Sequence, residues 1–367
     1  MIYGPRVSPI LVSAQALPTT FPDEPLAVAV KDYMRTNHVK GTLRYYGTPA
    51  EEGGWGKVYM MRAGFFRDVD VVLHWHPAAA NSVNNGGMLA VATAKFQFHG
   101  IAANAAMAPD RGRSALDAVM LMGNGIEFLR EHVPSNTRIH YIITNGGQAP
   151  NIVPETAEME LGARSPYLTS LNSIWTRINK IAQGTAMMTE TTPEVRDISS
   201  VANILPNDAL AKVAQKNLEE AGGFRYTPDE MRFAEELRKS LPEGARPDLH
   251  SIEAIEPLKP FDPNAPSAST EVGDLSWNVP TIGFSAATFV PGVAPHTWQA
   301  AACAGMTIKQ KGMVAAAKAM AMTAADLFAS PQLVADAKAD FEKQMKGKKY
   351  ESIIPQGGKP PIDYRSK

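Results

Sequence analysis

The densest chemistry in the sequence is the stretch GTPAEEGGWGK, residues 47 to 57. A strand-like run, Thr42 to Tyr46, ends at Gly47, and Pro49 fixes a turn. Two adjacent carboxylates follow, Glu51 and Glu52, then two glycines, and Lys57 opens a helical pattern. Neighbouring side chains at a strand end point in different directions. One carboxylate can therefore hold a metal ion while the other faces the water that attacks, which is the division of labour a metal-dependent hydrolase needs. Acidic pairs at loop starts also serve as solvated or helix-capping groups, so the pair alone does not decide between the two.

Two further places carry ligand chemistry. His74 and His76 sit two apart on one strand and share a face, and HPAAA leaves that strand at its C-terminal end, where open α/β sheets place their ligands. His296 lies in VAPHTWQ, a turn after another strand. Glu52, one of the two strand histidines and His296 make a His/His/carboxylate set, the three protein ligands a catalytic zinc takes. His38, His99, His132, His140 and His250 have no such setting and read as surface or core residues. A phosphate-cradling GxxxxGK[ST] and a GxSxG nucleophile elbow are both absent, and Cys303 in AACAG reads as a small packing residue.

The elements that must position these residues alternate. Leu26 to Asn37 reads as a helix, 42 to 46 as a strand, 56 to 63 as a helix, and Val69 to His76 as a buried strand of a parallel sheet. Between Ala90 and Ile198 the order is strand 90–98, helix 113–131, strand 137–144, strand 155–164, helix 168–188, strand 191–198. This βαββαβ order is that of a ferredoxin-like unit. It is read as an α+β insertion, residues 88–203, in an α/β catalytic domain formed by 26–87 and 204–367. Helices at 208–221 and 228–240, a Pro-rich loop, a strand at 281–289 and helices at 304–328 and 331–346 complete that domain. Residues 1–25 carry five prolines and no sustained period, and read as an irregular segment.

The chain has 367 residues, 44% hydrophobic and 20% charged, with a net charge of −1. Its length favours two domains, and its charge gives no electrostatic case for nucleic acid or an anionic membrane. No uninterrupted apolar run reaches the ~18–20 residues that cross a bilayer. Residues 7–17 are mildly apolar and contain Ala14-Gln15-Ala16, but Pro9 and the short apolar core argue against a secretory signal. With a single cysteine no intrachain disulfide can form, which fits a reducing, cytoplasmic setting.

PAEEGG, the strand ending in His-Pro, FHGIAANAA, NGGQAPNIVPE, ASTEVGDLSW and PHTWQ occur in this order. Across residues 26 to 350 they resemble the two-metal metallopeptidases of the aminoacylase/carboxypeptidase type, in their amidohydrolase branch. The resemblance implies a metal-bearing α/β domain and an inserted ferredoxin-like lid through which two copies form a homodimer. It further implies cleavage of a small-molecule amide, an N-acyl or aminobenzoyl amino acid or a dipeptide, and leaves room for a second kind of subunit. Glu51 matches the general base, Glu52 and His296 the ligands of one zinc or manganese ion, and His76 a ligand of the other; His74 has no family role. Asn151 and Arg164 match residues that hold the substrate's carboxylate end, a task suited to a guanidinium fork.

Three departures qualify that expectation. The family's upstream Cys-Gly-His segment, source of the bridging ligand and another histidine, has no counterpart before Leu26, and the chain resembles a homologue lacking it. Asn104 stands in AANAA where relatives carry a histidine reaching across the dimer, and it donates a hydrogen bond without charge. Thr48 replaces a frequent cysteine. The expectation is thus a metal-dependent amide hydrolase holding two ions, one or none. The alternative is a degenerate, non-catalytic dimer that binds ligand or only assembles.

Overall fold

The computed structural model describes residues 9–15, 23–265 and 268–362. The chain starts with β1 (Pro9–Gln15), α1 (Asp23–Thr36), β2 (Thr42–Thr48), α2 (Gly56–Arg62), β3 (Val71–Ala78) and β4 (Ser82–Asn84). A second group follows: β5 (Ala90–His99), β6 (Ala103–Asn104), α3 (Ala115–Arg130), β7 (Arg138–Asn145), β8 (Ile152–Val153), β9 (Thr156–Ser165), α4 (Leu168–Thr189) and β10 (Thr192–Val201). The last group is α5 (Asp208–Ala221), α6 (Pro228–Arg238), α7 (Val272–Ser276), β11 (Thr281–Ala287), α8 (Trp298–Ala304), α9 (Thr307–Ala329) and α10 (Pro331–Met345).

The first and last groups build one five-stranded sheet in the order β2-β1-β3-β11-β4, parallel except for β4. In β3, Val71, Leu73 and Trp75 pack on one side with Leu210, Phe284 and Met320, while Val72 faces Phe66 and Leu275 on the other. A strand apolar on both faces is what a sheet covered on both sides demands. The chain runs from β1 outward to β2 and then returns to β3 on the opposite side of β1, so a topological switch point lies at the C-terminal ends of these strands.

The middle group forms an antiparallel sheet in the order β10-β5-β9-β7, the pairing that a βαββαβ chain produces. The alternation in β5 puts Phe96 and Phe98 into a core with Met122 and Ile126 of α3 and Trp175 and Ile178 of α4. Caps start the helices where the sequence offers them: Ser114 accepts from Asp117 N–H before α3, Asn207 from Leu210 N–H before α5, and Thr227 and Glu230 form a capping box on α6.

Four features differ from the sequence reading. The segment expected to be irregular contains β1, which pairs in parallel with β2 on one edge and β3 on the other. Proline is tolerated as the first residue of a strand, and Pro9 stands there, so the short ILVSA run behind it pairs normally. The remainder of that segment up to α1, residues 1–8 and 16–22, lies outside the described residues. Hydrophobic periodicity also passes over β4 and the two-stranded β6-β8 ribbon, each too short to show a period. The helix expected over 304–328 is two, α8 and α9, parted at Gly305 and Met306. Finally, α9 is long and apolar enough by length and composition to cross a bilayer. It packs instead as a core helix against α5, α1 and β11, with Gly312 close against the Ala287 carbonyl. Cys303 is buried, its Sγ accepting from Val290 N–H at 3.4 Å, as a packing residue should be.

Candidate active site

The acidic loop follows β2. Gly53 N–H donates to the Glu51 carbonyl at 2.8 Å and Gly54 N–H to the Ala50 carbonyl at 2.9 Å, which coils the loop tightly. Gly56 closes it: a Cβ there would stand 2.0 Å from the Pro49 carbonyl oxygen, so no other residue fits. Glu51 is half-buried and accepts a hydrogen bond from Thr270 Oγ1 at 3.2 Å, whereas Glu52 is exposed. The two neighbours therefore face different surroundings.

His296 lies in the loop after β11, and its Nδ1 stands 3.8 Å from Glu52 Oε1. Of the six described non-glycine residues with positive φ, three belong to these two loops: Ala50 at 62°, Trp55 at 52° and His296 at 61°. Such backbone costs of order 1–3 kcal/mol per residue and gathers at functional sites.

His76 stands two residues before the C-terminal end of β3, at the same edge of the sheet, paired with Ser285 of β11. Its Nδ1 is 2.7 Å from the Pro77 carbonyl, which can only accept, so the proton sits on Nδ1 and the Nε2 lone pair is left for a ligand. His74 differs completely. It is fully buried with both ring nitrogens unpartnered, and burial, with Lys57 nearby, pushes its pKa down to about 3. It is a neutral core residue, held close against Gly283, where a Cβ would meet its ring at 2.4 Å.

The donor set fits a metal ion in part. Two donors on one tetrahedral zinc, bound at about 2.0–2.1 Å, stand roughly 3.3–3.4 Å apart, close to the Glu52–His296 separation. His76 carries the tautomer of a ligating imidazole. Among the described residues, however, no three His, Cys, Asp or Glu side chains converge on one point. The expected three-ligand set is therefore a pair plus a separate histidine, whose ring is tied to its own neighbour's carbonyl.

Of the residues expected to hold substrate, Arg164 on β9 reaches this edge: its Nη1 donates to Ser269 Oγ at 3.3 Å, next to Thr270. Asn104 and Asn151 come together at the β6-β8 ribbon, where Ala105 N–H donates to the Asn151 carbonyl at 3.0 Å. The Asn104 side-chain oxygen accepts from Ala106 and Met107 N–H, closing a turn and leaving its amide group to donate. These bonds stay within the ribbon and its turn, so they do not tie either asparagine to the acidic loop.

The sequence reading passes over the layer beneath the loop. Lys57 and Glu271 form a fully buried ion pair at 2.9 Å. Burial pushes the Glu271 carboxyl up despite Lys57, with the Glu51 carboxylate adding to the rise. Asp274, also buried, accepts from Tyr350 Oη at 2.7 Å and from Ala202 N–H at 3.0 Å. Its pKa is pushed up to about 7, chiefly by burial. The one signal in the sequence is ASTEVGDLSW, where Glu271 and Asp274 stand among small and apolar residues. Trp55 ties the loop to β10 through a hydrogen bond from its indole N–H to Ser199 Oγ.

Residues 90–190 match the family profile described as a peptidase dimerisation domain. The chain is 38% identical to one of the subunits of the p-aminobenzoyl-glutamate hydrolase of Escherichia coli, covering 91% of this chain and 74% of that protein. It is 29% identical to the human Xaa-Arg dipeptidase, covering 84% of this chain and 63% of that one. Among solved structures, an aminobenzoyl-glutamate utilization protein from Klebsiella pneumoniae shares the fold with a TM-score of 0.59 at 19% identity, over 88% of this chain and 72% of its own. A dinuclear metal binding peptidase of the M20 family from Bacillus subtilis does so with a TM-score of 0.54 at 12% identity, over 89% and 84%. With a relative this similar over most of both chains, the protein belongs to the M20 family of amide-bond hydrolases, alongside p-aminobenzoyl-glutamate hydrolase.

Proposed function

We propose that the chain cleaves the amide bond of an N-acyl or aminobenzoyl amino acid, of the p-aminobenzoyl-glutamate type, or of a dipeptide. The observation that carries this reading is the convergence of Glu52 and His296 beside Glu51 at the C-terminal edge of a parallel sheet. Glu52 and His296 would hold one divalent ion, zinc or manganese, and His76 belongs to the same edge. A bound ion there supplies Lewis acidity that polarises the scissile carbonyl.

The rest is the work of this chain's own groups. Glu51, steadied by the Thr270 hydroxyl, takes the proton of the attacking water and returns it to the leaving nitrogen. Arg164, beside Ser269, offers a cationic donor fork to the carboxylate of the amino-acid product. Asn104 and Asn151 add neutral donors on the β6-β8 ribbon. Two copies associate through the middle group of elements, which matches a peptidase dimerisation domain; a second kind of subunit is a further partner to test. The alternative, a non-catalytic relative, is favoured by one observation: no three donors converge among the described residues.

Metal content per chain, measured together with hydrolysis of p-aminobenzoyl-glutamate and a dipeptide panel, separates the two. Metal binding with turnover supports the hydrolase. Metal-free protein that stays inactive after zinc or manganese addition supports the alternative.

A further inference from the structure

Glu271 makes three connections to the acidic loop, directly or through its neighbour. Its Oε1 accepts from Lys57 Nζ at 2.9 Å and also from Lys57 N–H at 3.3 Å. Thr270, one residue before it, donates to Glu51 Oε1 at 3.2 Å. The Lys57 amide belongs to the first turn of α2, whose N-terminal flank, Trp55, is left-handed and offers no side-chain cap. Glu271 thus supplies from another part of the chain the acceptor this helix start lacks. The carboxylate also sits where the helix dipole favours negative charge.

Both members of the pair are completely buried. Removing two charges from water costs several kcal/mol per ion, and well-packed apolar residues in their place are often neutral or stabilising. Stability is therefore a weak reason for this pair. Its position suggests another: the loop is clamped at Glu51 through Thr270 and at Lys57 through Glu271, so residues 51–57 have both ends fixed to the 270–271 segment. We propose that the Lys57–Glu271 pair is a positioning device that holds the Glu51 carboxylate in its working orientation. The proposal rests on Glu51 being the general base, and a misplacement of about 1 Å in such a group can cost about 100-fold in rate.

The test uses the full chain with two variants, Glu271→Gln and the double substitution Lys57→Met with Glu271→Leu. Backbone hydrogen exchange is followed at residues 51–58 and, for reference, at α3, alongside thermal melting, metal content and kcat and KM on p-aminobenzoyl-glutamate. The apolar pair is the control for folding, because it leaves no buried charge unpaired. The expected result for the double variant is a cooperative melt and unchanged exchange in α3, with exchange at 51–58 faster by about tenfold or more. Its kcat falls about 10- to 100-fold while KM stays within about twofold. Wild-type exchange at 51–58 in the double variant overturns the proposal, as does unchanged kcat with faster exchange. If the wild type proves inactive on p-aminobenzoyl-glutamate and on a dipeptide panel, the general-base reading of Glu51 fails, and the exchange data still decide whether the pair orders the loop.

Discussion

The Glu52 carboxylate and the His296 imidazole meet at 3.8 Å although β1 and β3 separate the strands from which their loops rise. Three inter-strand spacings of about 4.8 Å each make roughly 14 Å of sheet to bridge. The loops after β2 and β11 must both lean over the sheet edge to close that distance, and the left-handed backbone at Ala50, Trp55 and His296 marks where they bend. Strain of that kind persists only where the surroundings enforce it. If the pair holds a metal ion, His296→Ala or Glu52→Ala should lower metal affinity by more than the roughly 100-fold that an outer-sphere change costs. Calorimetric titration with zinc checks this. Because both side chains are exposed, the stability of the metal-free protein should change by less than about 0.5 kcal/mol.

Glu51 is expected to act on protons and not on the ion. Glu51→Gln keeps an acceptor for Thr270 Oγ1 but removes the base. In a chain that turns over p-aminobenzoyl-glutamate, kcat should fall by about 10²- to 10⁴-fold while metal content stays at the wild-type level. Loss of metal in this variant would instead make Glu51 a ligand.

The βαββαβ group is legible in the sequence because each of its main strands and helices is long enough to show its period, and its core residues Phe96, Phe98, Met122 and Ile126 sit on that period. β1 is not, because its short apolar run is hidden among prolines. In the site, Glu51, Glu52 and His296 stand out by residue type in loops that follow strands. Lys57, Glu271 and Asp274 do not, because a charged residue in a sequence reads as surface unless its partner is known. Lys57 finds its partner 214 positions away and Asp274 finds its own 76 away. Pairings at such separations are a property of the fold, not of any window of the chain.

β7 closes one side of the antiparallel sheet, with no strand on its outer edge among the described residues, and it exposes Ile142 and Ile143, 62% and 47% accessible. An exposed edge strand bearing large apolar residues is a pairing hazard unless something covers it. If a second copy does so, Ile142→Lys should convert the dimer to monomer in light scattering, with far-UV circular dichroism unchanged. A monomeric wild type would remove the homodimer from the proposal.

Asp274 joins α7 to the end of β10 and to the C-terminal segment through Ala202 N–H and Tyr350 Oη. Its carboxyl is pushed up to about 7 by burial, with the nearby Glu271 adding to the rise and the two hydrogen bonds opposing it. The folded state therefore holds this proton more tightly than the unfolded chain, where an aspartate titrates near about 3.9. The sign follows: the group costs nothing below pH about 4, its cost grows as pH rises to about 7, and the cost is constant above that. Asp274→Asn keeps an acceptor for Ala202 N–H and presents an amide to the Tyr350 oxygen. Urea unfolding of both proteins from about pH 4 to about pH 8 should give equal stability at the acid end. The variant should become the more stable by up to about 4 kcal/mol at the alkaline end, from about 1.4 kcal/mol for each tenfold difference in proton affinity. Carboxylates that do not interact with Asp274 cancel in the comparison, since both proteins carry them. A gap that opens in the opposite direction would mean that Tyr350 and Ala202 hold Asp274 as the anion, and that the C-terminal segment is fastened by a charge instead of by a shared proton.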